Sequence, residues 1–309
     1  MQSVPDPFEA LRTAPTPIDP DPAFATRLRA RVARALRPSE QGDLSMTLDT
    51  SETQQQQLLK MRQGDMSYVA LWVPDVDRAA RFYADVLGWK YGQPGPGPNR
   101  QVEGQSMSYG LAELASASEF LGRLGLTLTR APAPTGYTVF VVDNITAAVQ
   151  RVRDAGGRAG DIKQQPYGLV AACEDDQGLV FSLHEVPAGM PAPRPPSTGA
   201  RQGDVAYLVF EVPDASKARG FFGAVFGMHF EPGRSPNGWN LPDIAPMSGV
   251  AGGFARPTVV PMFRVDDIST AVERVRTAGG NASNPAREGY GIRAECSDDQ
   301  GVRFYLGQL

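Results

Sequence analysis

Short apolar runs and helical-period stripes alternate along this chain from residue 66 to residue 309. Tyr68-Val-Ala-Leu-Trp-Val73 is an apolar run of strand length, closed by Pro74-Asp75. Ala79, Phe82, Tyr83 and Val86 follow at helical spacing up to Gly88, where a glycine suits a C-cap. Strand-like pieces are predicted at 89–91, 107–111 and around 120–128. The pattern then restarts, with a strand at 137–142, a helix at 145–155 ended by Gly156-Gly157, and strands at 170–173 and 179–183. The same order returns a third and fourth time: strand 206–212 and helix 216–226, then strand 260–265, helix 268–278 and strand 302–306. Each round is a strand, a helix and about three strands, a βαβββ module.

The rounds are related by duplication. Val142-Asp143-Asn144-Ile145 and the residues up to Ala159 recur as Val265-Asp266-Asp267-Ile268 and onward to Ala282, a shift of 123 residues. The same shift carries Tyr167-Gly168 onto Tyr290-Gly291, Cys173 onto Cys296, and Asp175-Asp176-Gln177-Gly178 onto Asp298-Asp299-Gln300-Gly301. Pro74-Asp75 and Pro213-Asp214, however, are 139 residues apart. The first copy is therefore longer by 16 residues, and the glycine- and proline-rich stretch 93–104 is the expected place for them.

The residues before the repeat differ in kind. Asp21-Pro22 is a helix start, and Phe24, Leu28, Val32 and Leu36 form an apolar stripe among five arginines, so 21–37 reads as a basic amphipathic helix. After Pro38 the chain turns polar, with four glutamines at 54–57, and reads as a linker. The expected organisation is 1–65 as helix and linker, 66–187 and 203–309 as two domains, and 188–202 as a proline-rich connection. A net charge of −4 gives no global field for nucleic acid, and no apolar run is long enough for a membrane span. Without a signal-like N-terminus, a cytoplasmic protein with two reduced cysteines is expected.

The motifs Val73-Pro-Asp75, Ala80-Arg-Phe-Tyr83 and Leu87-Gly-Trp89 resemble the vicinal oxygen chelate superfamily, as do the endings Asp175-Asp-Gln-Gly178 and Asp298-Asp-Gln-Gly301. That superfamily includes glyoxalase I, bleomycin-resistance proteins and extradiol dioxygenases. The chain is similar to its tandem actinobacterial type over 66–309. The resemblance implies an α+β fold of two tandem domains, each of paired βαβββ modules in a curled sheet with helices outside and a cleft inside. It also implies metal ligands at set strand positions, which here hold Tyr68, Tyr137, Ser182, Tyr207, Val260 and Tyr305. Phenols and a valine are poor ligands for divalent ions, so neither a metal nor another cofactor is expected.

Strand alternation then names the side chains that enter each cleft. Tyr68, Trp72, Tyr137, Ser182 and His184 fall in the first; Tyr207, Glu211, Arg264, Arg303 and Tyr305 fall in the second. Aromatic walls with a few polar tips suit a hydrophobic or aromatic small molecule, and the first cleft is expected to be the better site, with Trp72 central and Arg264 unimportant. Each of these residues also has a structural reading: a core aromatic, an ion pair of Glu211 with Arg264 or Arg303, or an ordinary strand residue. No nucleic-acid or membrane partner is expected. Sequestration of a toxic compound is the sharpest version of this reading. Two others stay open. One is an enzyme, either glyoxalase- or dioxygenase-like or a metal-free isomerase or hydroxylase using a tyrosine or His184. The other is a non-catalytic protein that recruits a partner through 21–37.

Overall fold

The computed structural model describes residues 60–93, 98–133 and 135–309, so the expected helix at 21–37 and the linker up to residue 59 lie outside it. The first repeat forms β1 (Met66–Val73), α1 (Val76–Leu87), β2 (Lys90–Tyr91), β3 (Asn99–Glu103), β4 (Tyr109–Glu113), α2 (Leu114–Arg123), β5 (Thr135–Val141), α3 (Ile145–Asp154), β6 (Arg158–Ala159), β7 (Lys163–Gln165), β8 (Gly168–Glu174) and β9 (Val180–Glu185). The second forms β10 (Val205–Val212), α4 (Ala215–Phe226), β11 (Glu231–Pro232), β12 (Gly238–Leu241), β13 (Ser248–Gly252), β14 (Thr258–Arg264), α5 (Ile268–Thr277), β15 (Asn281–Ala282), β16 (Ala286–Glu288), β17 (Gly291–Ser297) and β18 (Arg303–Gln308). Each repeat is one mixed sheet, ordered β2-β3-β4-β1-β5-β9-β8-β6 and β11-β12-β13-β10-β14-β18-β17-β15. This is the α+β arrangement of paired βαβββ modules.

Local signals account for the helix starts. Asp75, Asn144, Asp214 and Asp267 each accept a hydrogen bond from a backbone N–H in the first turn of α1, α3, α4 and α5, and such caps are worth about 1 kcal/mol each. Gly88 and Gly227, at φ of 74° and 72°, close α1 and α4 in the left-handed conformation glycine favours. Alternation along β1 sends Val69, Leu71 and Val73 to the helix side and Ala70 and Trp72 to the concave side.

The 16 extra residues of the first repeat are not where the sequence pattern put them. The 139-residue shift holds through β4 and β13, since Val69 pairs with Tyr109 as Leu208 pairs with Ser248. The shift becomes 123 at β5 and β14, so the added length falls in 114–134, against only 253–257 in the second repeat. The stretch expected to hold a strand around 120–128 is in fact α2 and its exit turn. Leu114, Ala117 and Leu121 lie on one helical face, and the surrounding Ala, Ser, Glu and Leu are better helix than strand formers. Gly125 makes the exit turn at φ 77°, where a Cβ would come within 2.9 Å of Asp161.

The helix sides of the two sheets share one continuous core. Phe222 of α4 lies 6.0 Å from Phe140 and 6.4 Å from Phe181 of the first repeat, and Tyr83 of α1 lies 5.6 Å from Phe304 of the second. The duplicated Asp-Asp-Gln-Gly turns join the halves reciprocally. Gln300 Nε2 donates to the Asp75 carbonyl at 3.0 Å while its Oε1 accepts from the Asp75 N–H at 2.7 Å. Gln177 makes the same pair with Asp214, at 3.0 and 2.7 Å. The paired glycines after α3 and α5 serve this contact too. A Cβ on Gly157 would lie 2.7 Å from Phe221, and one on Gly280 3.0 Å from Phe82. The connection at 188–202 is also bound to both halves: Arg194 pairs with buried Asp65 at 2.8 Å and donates to the Asp243 carbonyl.

Both cysteines are free and buried on the core side of their sheets, and burial pushes their thiols up, that of Cys296 to about 12. In the first turn motif, Asp175 Oδ1 accepts from the N–H groups of Gln177 and Leu179, but its buried Oδ2 has no partner among the described residues. Burial raises its carboxyl to about 6. The folded chain thus binds this proton more tightly than the unfolded chain, where an aspartate titrates near pH 3.9. Ionised Asp175 costs roughly 3 kcal/mol at neutral pH, and that cost is relieved as pH falls through about 6 towards about 4. Asp175→Asn is expected to remove this component, so the stability difference between variant and wild type should shrink across that window. Urea denaturation at several pH values measures it, and a difference that stays constant would show that the unpartnered oxygen is not the cause.

Candidate functional site

On the concave side of the first sheet, Trp72 and Tyr137 stack with centroids 4.9 Å apart and planes 17° from parallel. They do not face an open cleft. Ala117 and Leu121 of α2, followed by Leu124 and Leu126, pack with them and with Ala70, Val170 and Ala172 in a second, separate core. Trp72 and Tyr137 are each only 4% exposed. The expectation of a broad aromatic platform there is corrected: the added segment covers it.

The polar groups of this cleft are also engaged. Tyr137 Oη and Ser182 Oγ share a short hydrogen bond. His184 Nε2 donates to the Tyr167 carbonyl, which can only accept, at 3.0 Å, and Nδ1 lies 3.0 Å from Ser67 Oγ. Both ring nitrogens of His184 are thereby engaged within the fold. Half-buried Tyr68 packs at the margin of this core, and its hydroxyl accepts from Gln101 Nε2 at 2.9 Å.

The second cleft differs because nothing equivalent to α2 exists between β13 and β14, where 253–257 form only a short turn. Its floor is Ala206, Val260, Met262 and Tyr305, which neighbouring side chains leave only 1% to 8% exposed, flanked by half-buried Tyr207 and Val209. Tyr207 Oη donates to Asn240 Oδ1 at 3.0 Å, the counterpart of the Tyr68–Gln101 pair. At one end Arg303 clasps the buried Glu211 carboxylate with bonds of 2.6 and 3.0 Å, the geometry that makes arginine–carboxylate pairs strong. Arg264, also predicted for this face, lies on β14 towards the other end and is half-buried.

Sequence reasoning missed several groups here. Arg293 and Glu295 alternate with core-facing Ala294 and Cys296 on β17, a signal that was available. The Arg293 guanidinium sits over the Tyr305 ring, 5.1 Å from its centroid, and 3.3 Å from Glu295. Arg234 and Tyr290 come from hairpins whose spacing carries no such signal. The Arg234 guanidinium lies 5.4 Å from the Tyr290 ring and 3.9 Å from Glu288. Burial raises the Tyr207 phenol to about 12, and Tyr290 and Tyr305 also move up, so all three remain neutral donors.

The donor set can be tested against the metal that the resemblance implies. Tyr68, Tyr137, Ser182 and Tyr207 at the ligand positions are hydrogen-bonded to neighbours, and Val260 offers no donor. The buried carboxylate of the second cleft has both oxygens on Arg303. Among the described residues, no three His, Cys, Asp or Glu side chains converge. These residues do not fit a divalent ion. Among them, too, no helix is long and apolar enough to cross a membrane.

Comparison with known proteins agrees with this architecture. The sequence model of the Glyoxalase/Bleomycin resistance protein/Dioxygenase superfamily matches residues 65–183. The anthracycline biosynthesis protein DauV of Streptomyces sp. strain C5 is 26% identical over 80% of this chain and 94% of its own length. CFP32 of Mycobacterium bovis, whose name carries glyoxylase as a provisional label, is 26% identical over 79% of this chain and 94% of its own. Among solved structures, a Mn(II)-bound glyoxalase from Novosphingobium aromaticivorans superposes with a TM-score of 0.58 at 16% identity, covering 80% of this chain and 82% of that one. The 2,3-dioxygenase LapB from Pseudomonas sp. KL28 gives 0.55 at 14% identity, covering 81% and 93%. Residues 65–183 thus match the glyoxalase/bleomycin resistance/dioxygenase, or vicinal oxygen chelate, superfamily, and both repeats share the fold of paired βαβββ modules seen in these solved structures.

Proposed function

We propose that this protein binds a flat, largely hydrophobic or aromatic small molecule in the cleft of its second sheet, without a metal. One observation carries the reading: the second concave face keeps an apolar and aromatic floor with no helix laid over it by 253–257, whereas α2 fills the first. Half-buried Tyr207 offers a stiff ring at the surface beside the largely buried Met262 thioether and Tyr305 ring, the side-chain types on which a planar ligand buries area. One relative is named for anthracycline biosynthesis, and anthracyclines are flat aromatic molecules of the kind such a floor suits.

Thermal-shift and native mass-spectrometric screening of the full chain against flat aromatic compounds tests this. Stabilisation is expected without turnover, with or without added Mn²⁺ or Zn²⁺. It should be lost in Val209→Trp, which fills the floor, and kept in Phe120→Ala, on α2 of the first repeat. Metal-dependent turnover would replace the binding reading with an enzymatic one. Stabilisation that survives Val209→Trp would remove the ligand from this cleft.

A further inference from the structure

We propose that the second cleft takes a planar aromatic carboxylic acid, with its carboxylate held between Arg264 and Arg293 and its ring on Met262 and Tyr305. This rests on the reading of the second cleft as the ligand site and adds the ligand's charge to it.

The placement follows from strand register. Arg264 of β14 pairs with Gly307 of β18, and Gly307 pairs with Arg293 of β17. The two arginines are thus two strand spacings apart, about 10 Å between Cα atoms, with a residue that has no side chain between them. Their neighbours Phe263, Val265, Ala294 and Cys296 face the core, so both arginines face the cleft. The Met262 side chain lies across the gap; a Cβ on Gly307 would come within 2.7 Å of its Sδ. The first sheet has nothing of the kind. Its matching positions are Val141, His184 and Val170, all buried, and His184 fills the place of the glycine.

The charges of the second cleft leave a cation over. Arg303 is matched to Glu211 by two hydrogen bonds. Arg293 has only looser contacts, 3.3 Å to Glu295 and 3.7 Å to Glu288, and Glu288 also neighbours Arg234 at 3.9 Å. Half-buried Arg264 makes no side-chain hydrogen bond or ion pair among the described residues. Four arginines therefore face three glutamates. A guanidinium partly removed from water without a counter-ion favours an anion, and its planar fork suits a carboxylate. The flanking phenols are neutral donors and add no repulsion. The Tyr305 ring beneath Arg293 and the Met262 thioether supply the apolar support beside the charge. Together these features select a ring bearing a carboxylate over a neutral ring of the same shape.

Isothermal titration of the full chain with matched acids and amides tests this: 2-naphthoate against 2-naphthamide, and 4-hydroxybenzoate against 4-hydroxybenzamide. The acids are expected to bind at least about tenfold more tightly, a preference that shrinks in about 0.5 M salt. Arg264→Ala should bring the acids down to the affinity of the amides while leaving amide binding unchanged, and Arg264→Lys should restore part of the difference. Arg153→Ala, on α3, should change neither, and melting temperatures check that each variant folds. Arg264→Gln replaces the alanine variant if that one fails to fold. Equal binding of acid and amide would overturn the carboxylate site while leaving the cleft as a ligand site. Absence of binding by all four compounds would overturn both. An acid preference that persists in Arg264→Ala would overturn the assignment to this pair.

Discussion

Phe222→Ala is expected to lower the stability of the whole repeat region by about 4 kcal/mol, in one transition rather than two. Phe222 belongs to the second repeat and is 1% exposed. Its ring contacts Phe210 and Phe226 of its own repeat, but also Phe140 and Phe181 of the first. Emptying that position leaves a cavity lined by both halves, so both lose packing together. Trp72 reports on the first repeat, Trp239 on the second and Trp89 on its contact with Phe263 between them, and single-tryptophan versions of the chain allow each to be followed in urea. All three should shift to the same lower midpoint. A first-repeat transition left in place while the second moves would mean that the halves are energetically separate.

Leu121→Ala should cost about 3 kcal/mol and should also change what the first cleft presents. Leu121 is fully buried between α2 and the Trp72/Tyr137 stack. Truncating it loosens the one apolar face by which α2 is seated, so Trp72 emission should shift to the red and a hydrophobic dye should bind where it did not before. Phe120→Ala, one residue away but 39% exposed, should cost much less. A loss below about 0.5 kcal/mol for Leu121→Ala, in the range of ordinary surface substitutions, would mean that α2 does not hold the first cleft closed.

The repeat and its modules were legible because they depend on local patterns. The stripe of Ala79, Phe82, Tyr83 and Val86, the Asp caps and the capping glycines each specify an element from neighbouring residues alone. Strand alternation correctly sorted Val69, Leu71 and Val73 from Ala70 and Trp72. It could not tell whether the concave side was open. An inward aromatic looks the same in sequence whether a ligand or a helix from the same chain covers it. The stretch 114–134 was misread because its short apolar run 120–128 fits either period, and because loop-like 93–104 offered a more obvious home for the added length.

The sequence by itself determined that there are two copies of a paired βαβββ unit, which side chains share a sheet face, and that the ligand positions hold tyrosine, serine and valine instead of metal-binding groups. The first two follow from residue identity and periods of 2 and 3.6, and the third from the family resemblance that marks those positions. Tertiary structure decided the rest, because it depends on residues far apart in the chain. Only the fold shows the duplicated glutamines reaching across to the opposite repeat, Gln300 to Asp75 and Gln177 to Asp214. Only strand register brings Arg264 and Arg293 to either side of Gly307. And only packing shows that α2 fills the first cleft while the second, with its shorter connection, has no helix laid over it.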